Sequence, residues 1–232
     1  MALRRRRASG PEPGPVHFRV LPVRCACHGG AVTEEIDPQD PRLIIRRLTS
    51  EDVDAMIELQ QRCFPSIAPW ERAHVADHLA RFPAGQIGVE LDGALVARSS
   101  SLVLHSKDYD DEHEFEDVCP NGSLINHDPD GDVLYGIDIV VSPDARGLRL
   151  ARRIYDVRKE LVQELGLRKI VIAGRMPGYA IHADEMDARE YVQRVVRQEL
   201  SGPVITAQLA NGFAIRAALD DALKYDQHAG GH

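Results

Sequence analysis

This sequence has few cysteines, no long apolar run and no excess of basic residues, and each shortage excludes a class of protein. No run approaches the roughly 20 apolar residues that a membrane helix requires, so no membrane partner is expected. No apolar segment follows the basic start MALRRRRASG, which argues against a secretory signal. Four cysteines in 232 residues do not form a disulfide framework, and we expect a reduced, cytoplasmic protein.

The acidity of the chain is local. The formal net charge is −8, yet ten acidic residues and one lysine lie between Ser106 and Asp132, so the rest is close to neutral. Because no broad basic surface is indicated, nucleic acid is not an expected partner. Two interpretations of this acidic loop stay open. It keeps the protein soluble, or its end forms a negative rim beside an active cleft and attracts a cationic amine.

Composition divides the chain into three parts. Residues 1–40 are rich in Arg, Pro and Gly without apolar periodicity, so we expect a disordered leader, with a translation start near Val32 as an alternative. Residues 41–216 have the patterning of one globular domain, in which the acidic loop, 106–132, is an insertion. Residues 217–232 are expected to form a tail.

Two short patterns raise the question of a metal ion, and neither predicts one. Cys25, Cys27 and His28 lie close together in the leader, but no second ligand pair follows at the spacing of a zinc site. The segment DPDGD, 128–132, is similar to a calcium loop, but its glycine precedes the third acid and the distal glutamate is misplaced. No metal site is therefore expected.

Apolar periodicity predicts alternating strands and helices. Strands are predicted at residues 43–48, 85–91, 94–105, 133–141, 168–174, 203–209 and 211–219. Helices are predicted at residues 53–64, 69–81, 149–165 and 187–200. The strand at 133–141 is apolar on both faces and should lie beside the strand at 168–174 in the centre of the sheet. A right-handed crossover should join these two strands, and they should splay apart near Val141.

One stretch places a strand, a tight turn and a basic helix start in direct succession. It is VVSPDARGLRLARRIYDVRKEL, residues 140–161. Several backbone N–H groups then point at one spot beside the positive end of the helix dipole, which makes a phosphate cradle. Gly147 allows close approach of a ligand, and Arg146 and Arg149 can bond phosphate oxygens. The alternative is a surface helix with solvated arginines and no ligand-binding role.

The segment RGLRLA, 146–151, resembles the acetyl-coenzyme-A motif [QR]-x-x-G-x-[GA] of the GNAT N-acetyltransferases, with Arg149 in place of the middle glycine. NHDPDGDVLYG, RRIYDVRKEL, PGY and QLANGF are similar to the acetyltransferase part of fused GNAT/carbon–nitrogen hydrolase proteins. The resemblance covers about residues 42–215 and implies an α/β (α+β) fold with a mixed, mostly antiparallel central sheet and helices on both faces. Too few residues follow for a hydrolase, so we expect a lone domain or a segment of a longer fusion.

The resemblance also implies an activity and its site. The enzyme would move an acetyl group from acetyl-CoA, its co-substrate, directly to an amine acceptor that is a small molecule or carries a lysine. A homodimer is left open. The implied coenzyme-binding residues are Ile139, Val140 and Val141 through their backbone groups, and Arg146, Gly147, Leu148, Arg149, Leu150 and Ala151 in the cradle.

Three residues are candidates for proton transfer. Asp138, in the central strand, is a candidate base, with a structural carboxylate as the alternative we favour, and water-mediated proton removal needs no base. Gln208 stands where many family members have a proton-donating tyrosine. Tyr179 and Tyr191 are therefore candidate acids, with packing roles as the alternative. The missing tyrosine keeps a second function open, a CoA-binding module without catalysis that serves a partner or a separate hydrolase.

Overall fold

A computed structural model describes residues 42–65, 67–109, 113–216 and 218. Its frame is one five-stranded sheet whose strands follow one another in chain order. The strands are Leu43–Arg47 (β1), Ile87–Leu91 (β2), Ala94–Leu104 (β3), Val133–Val141 (β4) and Lys169–Ile172 (β5). All neighbours pair antiparallel except β4 and β5, which are parallel. The expected mixed, mostly antiparallel sheet is confirmed.

Helices cover both faces of the sheet. They are Val53–Cys63 (α1), Arg72–Arg81 (α2), Phe115–Val118 (α3), Leu150–Glu164 (α4), Ala188–Val196 (α5) and Pro203–Ala210 (α6). On one face, Met56 of α1 and Val75 of α2 are fully buried in one cluster. On the other face, Ile154 of α4 packs with Ile87 and Ala97 of the sheet. The core therefore lies in two layers, as expected for a sheet that is apolar on both faces and has a helix layer on each side.

The hairpin between β2 and β3 forms where the sequence predicts it. Asp92 and Gly93 have φ angles of 51° and 78°. Two left-handed residues in a two-residue turn match the right-handed twist of antiparallel strands, which is why Asp-Gly is favoured there. This turn sets the register of β2 and β3, and Leu91 pairs with Ala94 directly across it.

The β4–α4–β5 unit is present, but β5 is not central. β5 pairs with β4 from Lys169 to Ile172 and ends the strand order. The prediction that β5 lies in the centre of the sheet is therefore wrong for the described residues. The physical reason is that the described residues of the two expected C-terminal strands, 203–216 and 218, do not form strands beside β5.

The segment PVITAQLA is helix α6 and not a strand, which corrects a second prediction. Pro203 occupies the first turn of α6, where its missing N–H costs nothing, and Gly212 follows the helix with a φ of 84°. Ile205 is buried among Tyr191 and Val195 of α5. The β-branched residues favoured a strand, but packing against α5 decides the outcome. Residues 213–216 have no regular secondary structure.

The described part of the acidic loop is more ordered than a solvated loop. Val118, Cys119 and Leu124 are fully buried. Asp77 of α2 fixes the loop, because its carboxylate accepts hydrogen bonds from the Ser123 hydroxyl and from the Leu124 N–H, both at 2.9 Å. The apolar side of this loop is thus part of the core.

Two predicted segments fall outside the described residues. They are the leader, with Cys25, Cys27 and His28, and the tail except for residue 218. In the part of the chain that the structure describes, no helix has both the length and the apolar character to cross a membrane.

Thr206 allows a direct test of α6. Its side chain is exposed, and its N–H donates to the Gly202 carbonyl at 2.8 Å, as in a helix start. We expect Thr206→Ala to raise the free energy of unfolding by about 0.5 kcal/mol, because alanine is the better helix former. In a strand the same change would lower stability by up to about 1 kcal/mol. Urea denaturation gives the sign, and a loss of stability would contradict the helix.

Candidate functional site

A bulge marks the point where β4 separates from β5. The register of β3 and β4 shifts by one residue between Ser100 and Ser101, which leaves Ile137 as an extra residue in β4. β5 pairs with β4 only as far as Gly136. Beyond the bulge, β4 is therefore paired with β3 on one side and open on the other. The expected separation of the two strands is confirmed, and it begins well before Val141.

The turn after β4 leads directly into α4 and leaves a row of amides free. Gly147 and Arg149 both have left-handed backbones, with φ angles of 92° and 55°. The first backbone hydrogen bond at the start of α4 runs from the Arg153 N–H to the Arg149 carbonyl, at 3.3 Å. Within the described ranges, no backbone carbonyl accepts the N–H groups of residues 147–152. Free amides at a helix start are a binding site for an anion.

Space and charge at this turn also suit an anion. A Cβ placed on Gly147 would meet no atom within 4 Å, so the surface above this glycine is open. Arg146, Arg149 and Arg152 are exposed around it. Guanidinium groups form charge-assisted bonds with phosphate oxygens, and the helix dipole adds to the attraction. The residues that sequence reasoning assigned to a phosphate cradle are thus brought together.

The left-handed backbone of Arg149 explains the glycine of the motif. A non-glycine residue in this conformation costs about 1–2 kcal/mol, because its Cβ crowds the following carbonyl. Arg149 adopts it all the same, with φ 55° and ψ 28° at the N-cap of α4. The departure from the motif therefore keeps the shape of the turn and adds a positive charge to it.

Positive charge continues along the end of β4. The Cys63 thiol, at the end of α1, donates to the Val141 carbonyl at 3.2 Å. Burial raises the pKa of this thiol. Three arginines oppose that rise: Arg146, Arg62 and Arg98. Three cationic side chains therefore lie near the end of β4, and one of them, Arg98, is paired with Asp138.

Asp138 lies at the first position beyond the bulge, and its carboxylate is engaged on both oxygens. Oδ2 accepts from Nη1 of the buried Arg98 at 2.9 Å, and Oδ1 accepts from the Ser100 N–H at 2.8 Å. These contacts are those of a structural carboxylate. Its role as a base stays a prediction.

Tyr179 and Tyr191 lie in a separate cluster with α5 and α6. Their rings are 5.4 Å apart, and burial raises the pKa of Tyr191. The Tyr179 hydroxyl donates to the Met186 carbonyl and the Tyr191 hydroxyl to the Ser201 carbonyl, each at 3.1 Å. Both tyrosines have the contacts of packed residues, and their roles as acids stay predictions.

Sequence reasoning missed a third tyrosine, Tyr155 of α4. Burial raises the pKa of its hydroxyl, and the charge of Arg158 and a hydrogen bond with the side chain of Gln208 oppose that rise. Gln208 in turn fills the space beside Gly174, where an added Cβ would be 2.4 Å from its Nε2. A tyrosine hydroxyl is thus present next to Gln208, the position that was compared with the proton-donating tyrosine of many family members. The sequence does contain a signal for this residue: Tyr155 follows Ala151, the last cradle residue, by four positions, so the two lie on the same face of α4.

Comparison with known proteins decides the family. The sequence profile described as "Acetyltransferase (GNAT) family" matches residues 53–183. The chain is also 31% identical over 174 residues to the "Uncharacterized N-acetyltransferase YkwB" of Bacillus subtilis (strain 168), which is 73% of this chain and 77% of YkwB. The chain belongs to the GNAT acetyltransferase family. As a GNAT protein it is an acyltransferase.

A longer relative and two solved structures complete the comparison. "Probable hydrolase YhcX" of the same bacterium is 41% identical over 176 residues, 76% of this chain but only 34% of YhcX. The loading GNATL domain of CurA from Lyngbya majuscula has a TM-score of 0.71 at 18% identity, covering 82% of this chain and 93% of that domain. GphF, a "GNAT-like decarboxylase in complex with isobutyryl-CoA", has a TM-score of 0.65 at 21% identity, with 81% and 94% covered. The likeness to these two structures shows that this chain has the GNAT fold, and it shows no more than the fold.

Gly147→Asp and Gly147→Asn form a matched pair that tests the cradle. Both variants strain the left-handed backbone alike, and they differ only in charge. At an effective dielectric of about 20, like charges about 4 Å apart repel by about 4 kcal/mol, so Asp should lower acetyl-CoA affinity at least about 100-fold more than Asn. Calorimetry measures both affinities. Equal values for the two variants would place the anion elsewhere.

Arg149→Gly and Arg149→Ala separate backbone strain from charge. We expect the Gly variant to be more stable than the Ala variant by about 1 kcal/mol, because only glycine relieves the left-handed conformation. Both should bind acetyl-CoA less tightly than the wild type, since both lack the guanidinium. Thermal denaturation reports the first effect and calorimetry the second. Equal stability of the two variants would contradict the left-handed backbone conformation of residue 149.

Proposed function

We propose that this protein transfers an acetyl group from acetyl-CoA directly to an amine acceptor. One observation carries the proposal: the open half of β4 runs straight into a turn whose amides, at residues 147–152, have no backbone acceptor among the described residues. A ligand with a diphosphate and a thioester would fit both parts at once. The isobutyryl-CoA of the GphF complex is a ligand of this kind.

Each part of this site has a chemical task. The cradle residues from Arg146 to Ala151 would hold the diphosphate, and Arg149 adds a charge that the family motif lacks. Beyond the bulge, Ile139 and Val141 offer N–H groups on the open side of β4 for polarising a thioester carbonyl, whereas the N–H of Val140 faces β3. Such polarisation stabilises the negative charge that develops in acyl transfer. The acceptor must approach as a neutral amine, whose nitrogen attacks the carbonyl carbon. The new C–N bond replaces the C–S bond, coenzyme A leaves as the thiolate, and water takes up the proton that the amine nitrogen loses.

Proton transfer to the departing thiolate has a structural candidate in Tyr155. Burial raises its pKa, so its hydroxyl stays protonated at neutral pH and can act as a donor. Tyr179 and Tyr191 remain candidates by sequence, but their hydroxyls already donate to backbone carbonyls. The position of Tyr155 beside Gln208 favours it over both.

The acidic loop supplies little support for selecting a cationic acceptor. Asp132, at the loop's end, bonds Ser106 and Arg168 and lies just before the start of β4. The bulge at Ile137 follows Asp132 by five residues, which is about 17 Å of strand. Selection of a cationic acceptor by the acidic loop stays a prediction. The acceptor class proposed here is simply an amine.

A second function is favoured by one observation, the glutamine at position 208. This protein would then be a CoA-binding module without catalysis that serves a hydrolase. The similarity to YhcX, of which the chain matches 34%, is consistent with such a partner.

Thiol release separates the two functions. We expect the protein to release coenzyme A from acetyl-CoA faster when a suitable primary amine from a chemically varied panel is present. Tyr155→Phe should lower this rate about 100-fold, within the range for general acid catalysis, and Tyr109→Phe, in the acidic loop, should not. Binding of acetyl-CoA without release for any amine would support the module instead.

A further inference from the structure

The bulge in β4 leaves backbone groups that the sheet does not satisfy. Buried N–H and C=O groups need partners, and an extra residue in one strand removes the regular ones. In this bulge, side chains take the place of the missing backbone partners. The Ser100 N–H donates to Asp138 Oδ1 at 2.8 Å. The carbonyls of Ser100 and Asp138 both accept from Nη2 of Arg158, at 2.8 and 2.7 Å.

A second arginine holds Asp138 from the opposite face of the sheet. Arg98 of β3 donates through Nη1 to Asp138 Oδ2 at 2.9 Å and through Nη2 to Gln60 Oε1 of α1 at 2.8 Å. Its guanidinium carbon lies 5.2 Å from the centre of the Trp70 ring. Arg98 and Arg158 are 0% and 1% exposed. Asp138 is thus held by its carboxylate on one face and by its carbonyl on the other.

Gly136 provides the space that Arg158 occupies. A Cβ at Gly136 would lie 2.5 Å from Nη1 of Arg158. Gly136 is also the last residue of β4 that pairs with β5. The guanidinium therefore fills the position at which the two strands part.

Stability alone does not account for Arg158. Its hydrogen bonds given above go to neutral carbonyls, and no acid forms an ion pair with it among the described residues. Burial lowers its pKa to about 10, which still leaves it charged at neutral pH. Leaving the two carbonyls without a partner would cost about 1–3 kcal/mol each, which is similar to the cost of burying the charge. The net contribution of Arg158 to stability is therefore small.

We propose that Arg98 and Arg158 are positioning residues that fix the Asp138 peptide and thereby aim the amides of Ile139 and Val141, on the open side of β4, at the thioester carbonyl. The inference rests on the proposed function, since it concerns the same site. Neither arginine touches the reacting atoms in this account. Asp138 acts as an anchor and not as a base.

The first test measures how strongly the protein polarises the thioester carbonyl of bound acetyl-CoA, and it needs no acceptor amine. The carbonyl ¹³C signal of [1-¹³C]acetyl-CoA should shift on binding to the wild type. In Arg158→Met the bound signal should lie close to that of free acetyl-CoA, while the affinity stays the same. Lys159→Met is the matched control, because Lys159 is its neighbour on α4, 43% exposed and paired with Asp156.

The outcomes of this test are distinct. A wild-type signal in folded Arg158→Met with acetyl-CoA bound would overturn the inference. If the wild type itself neither binds nor shifts the signal, the proposed function fails instead. Gly136→Ala is the second variant, should Arg158→Met not fold, because its methyl group displaces the guanidinium and should likewise reduce the shift.

The second test separates an anchor from a base. Asp138→Asn leaves Arg98 as an uncompensated buried charge and should lower kcat about 100-fold with little change in KM for acetyl-CoA, as expected when a reacting group is misplaced. The double variant Arg98→Gln with Asp138→Asn removes both charges and should recover at least about tenfold of that loss. A base could not be rescued in this way. No recovery would therefore contradict the anchor and support Asp138 as the base.

Discussion

The contact between Arg158 and the Asp138 peptide supports the open half of β4. A strand that loses its neighbour exposes backbone groups to a dry interior, and each unsatisfied group costs about 1–3 kcal/mol. Arg158 satisfies two carbonyls with one nitrogen. Burial lowers its pKa to about 10, which corresponds to a cost on the order of a few kcal/mol for the charged form. The cost of burying the charge and the gain from satisfying the bulge are thus of similar size.

Much of the fold follows from local signals in the sequence. Asp92-Gly93 predicts its hairpin because both residues tolerate a left-handed backbone. The cradle follows from Gly147 and the apolar strand before it, since a strand, a turn and a helix start must bring their amides together. These features need no knowledge of distant contacts.

The predictions from sequence were wrong where contacts between residues far apart in the chain determine the structure. Val204, Ile205 and Thr206 are β-branched and favour a strand, yet the packing of α6 against α5 makes them helical. The role of Arg98 also depends on distant contacts and could not be predicted from its neighbours in sequence. Arg98 is a charged residue in a strand whose other residues are apolar or small. Its partners Gln60 and Asp138 lie 38 and 40 residues away along the chain.

Helix α4 connects the two ends of the site. Its buried residues Leu150, Ile154 and Leu161 form the apolar stripe, and Arg158 occupies a place in that same stripe. Arg158 follows Leu150 by eight residues, so about 12 Å of helix separates the cradle from the bulge. Because a helix is stiff over this length, an anion bound at its first turn and the peptide held by Arg158 keep a fixed spacing. The arginine in the apolar stripe therefore ties the place where the diphosphate would bind to the place where the acyl group would react.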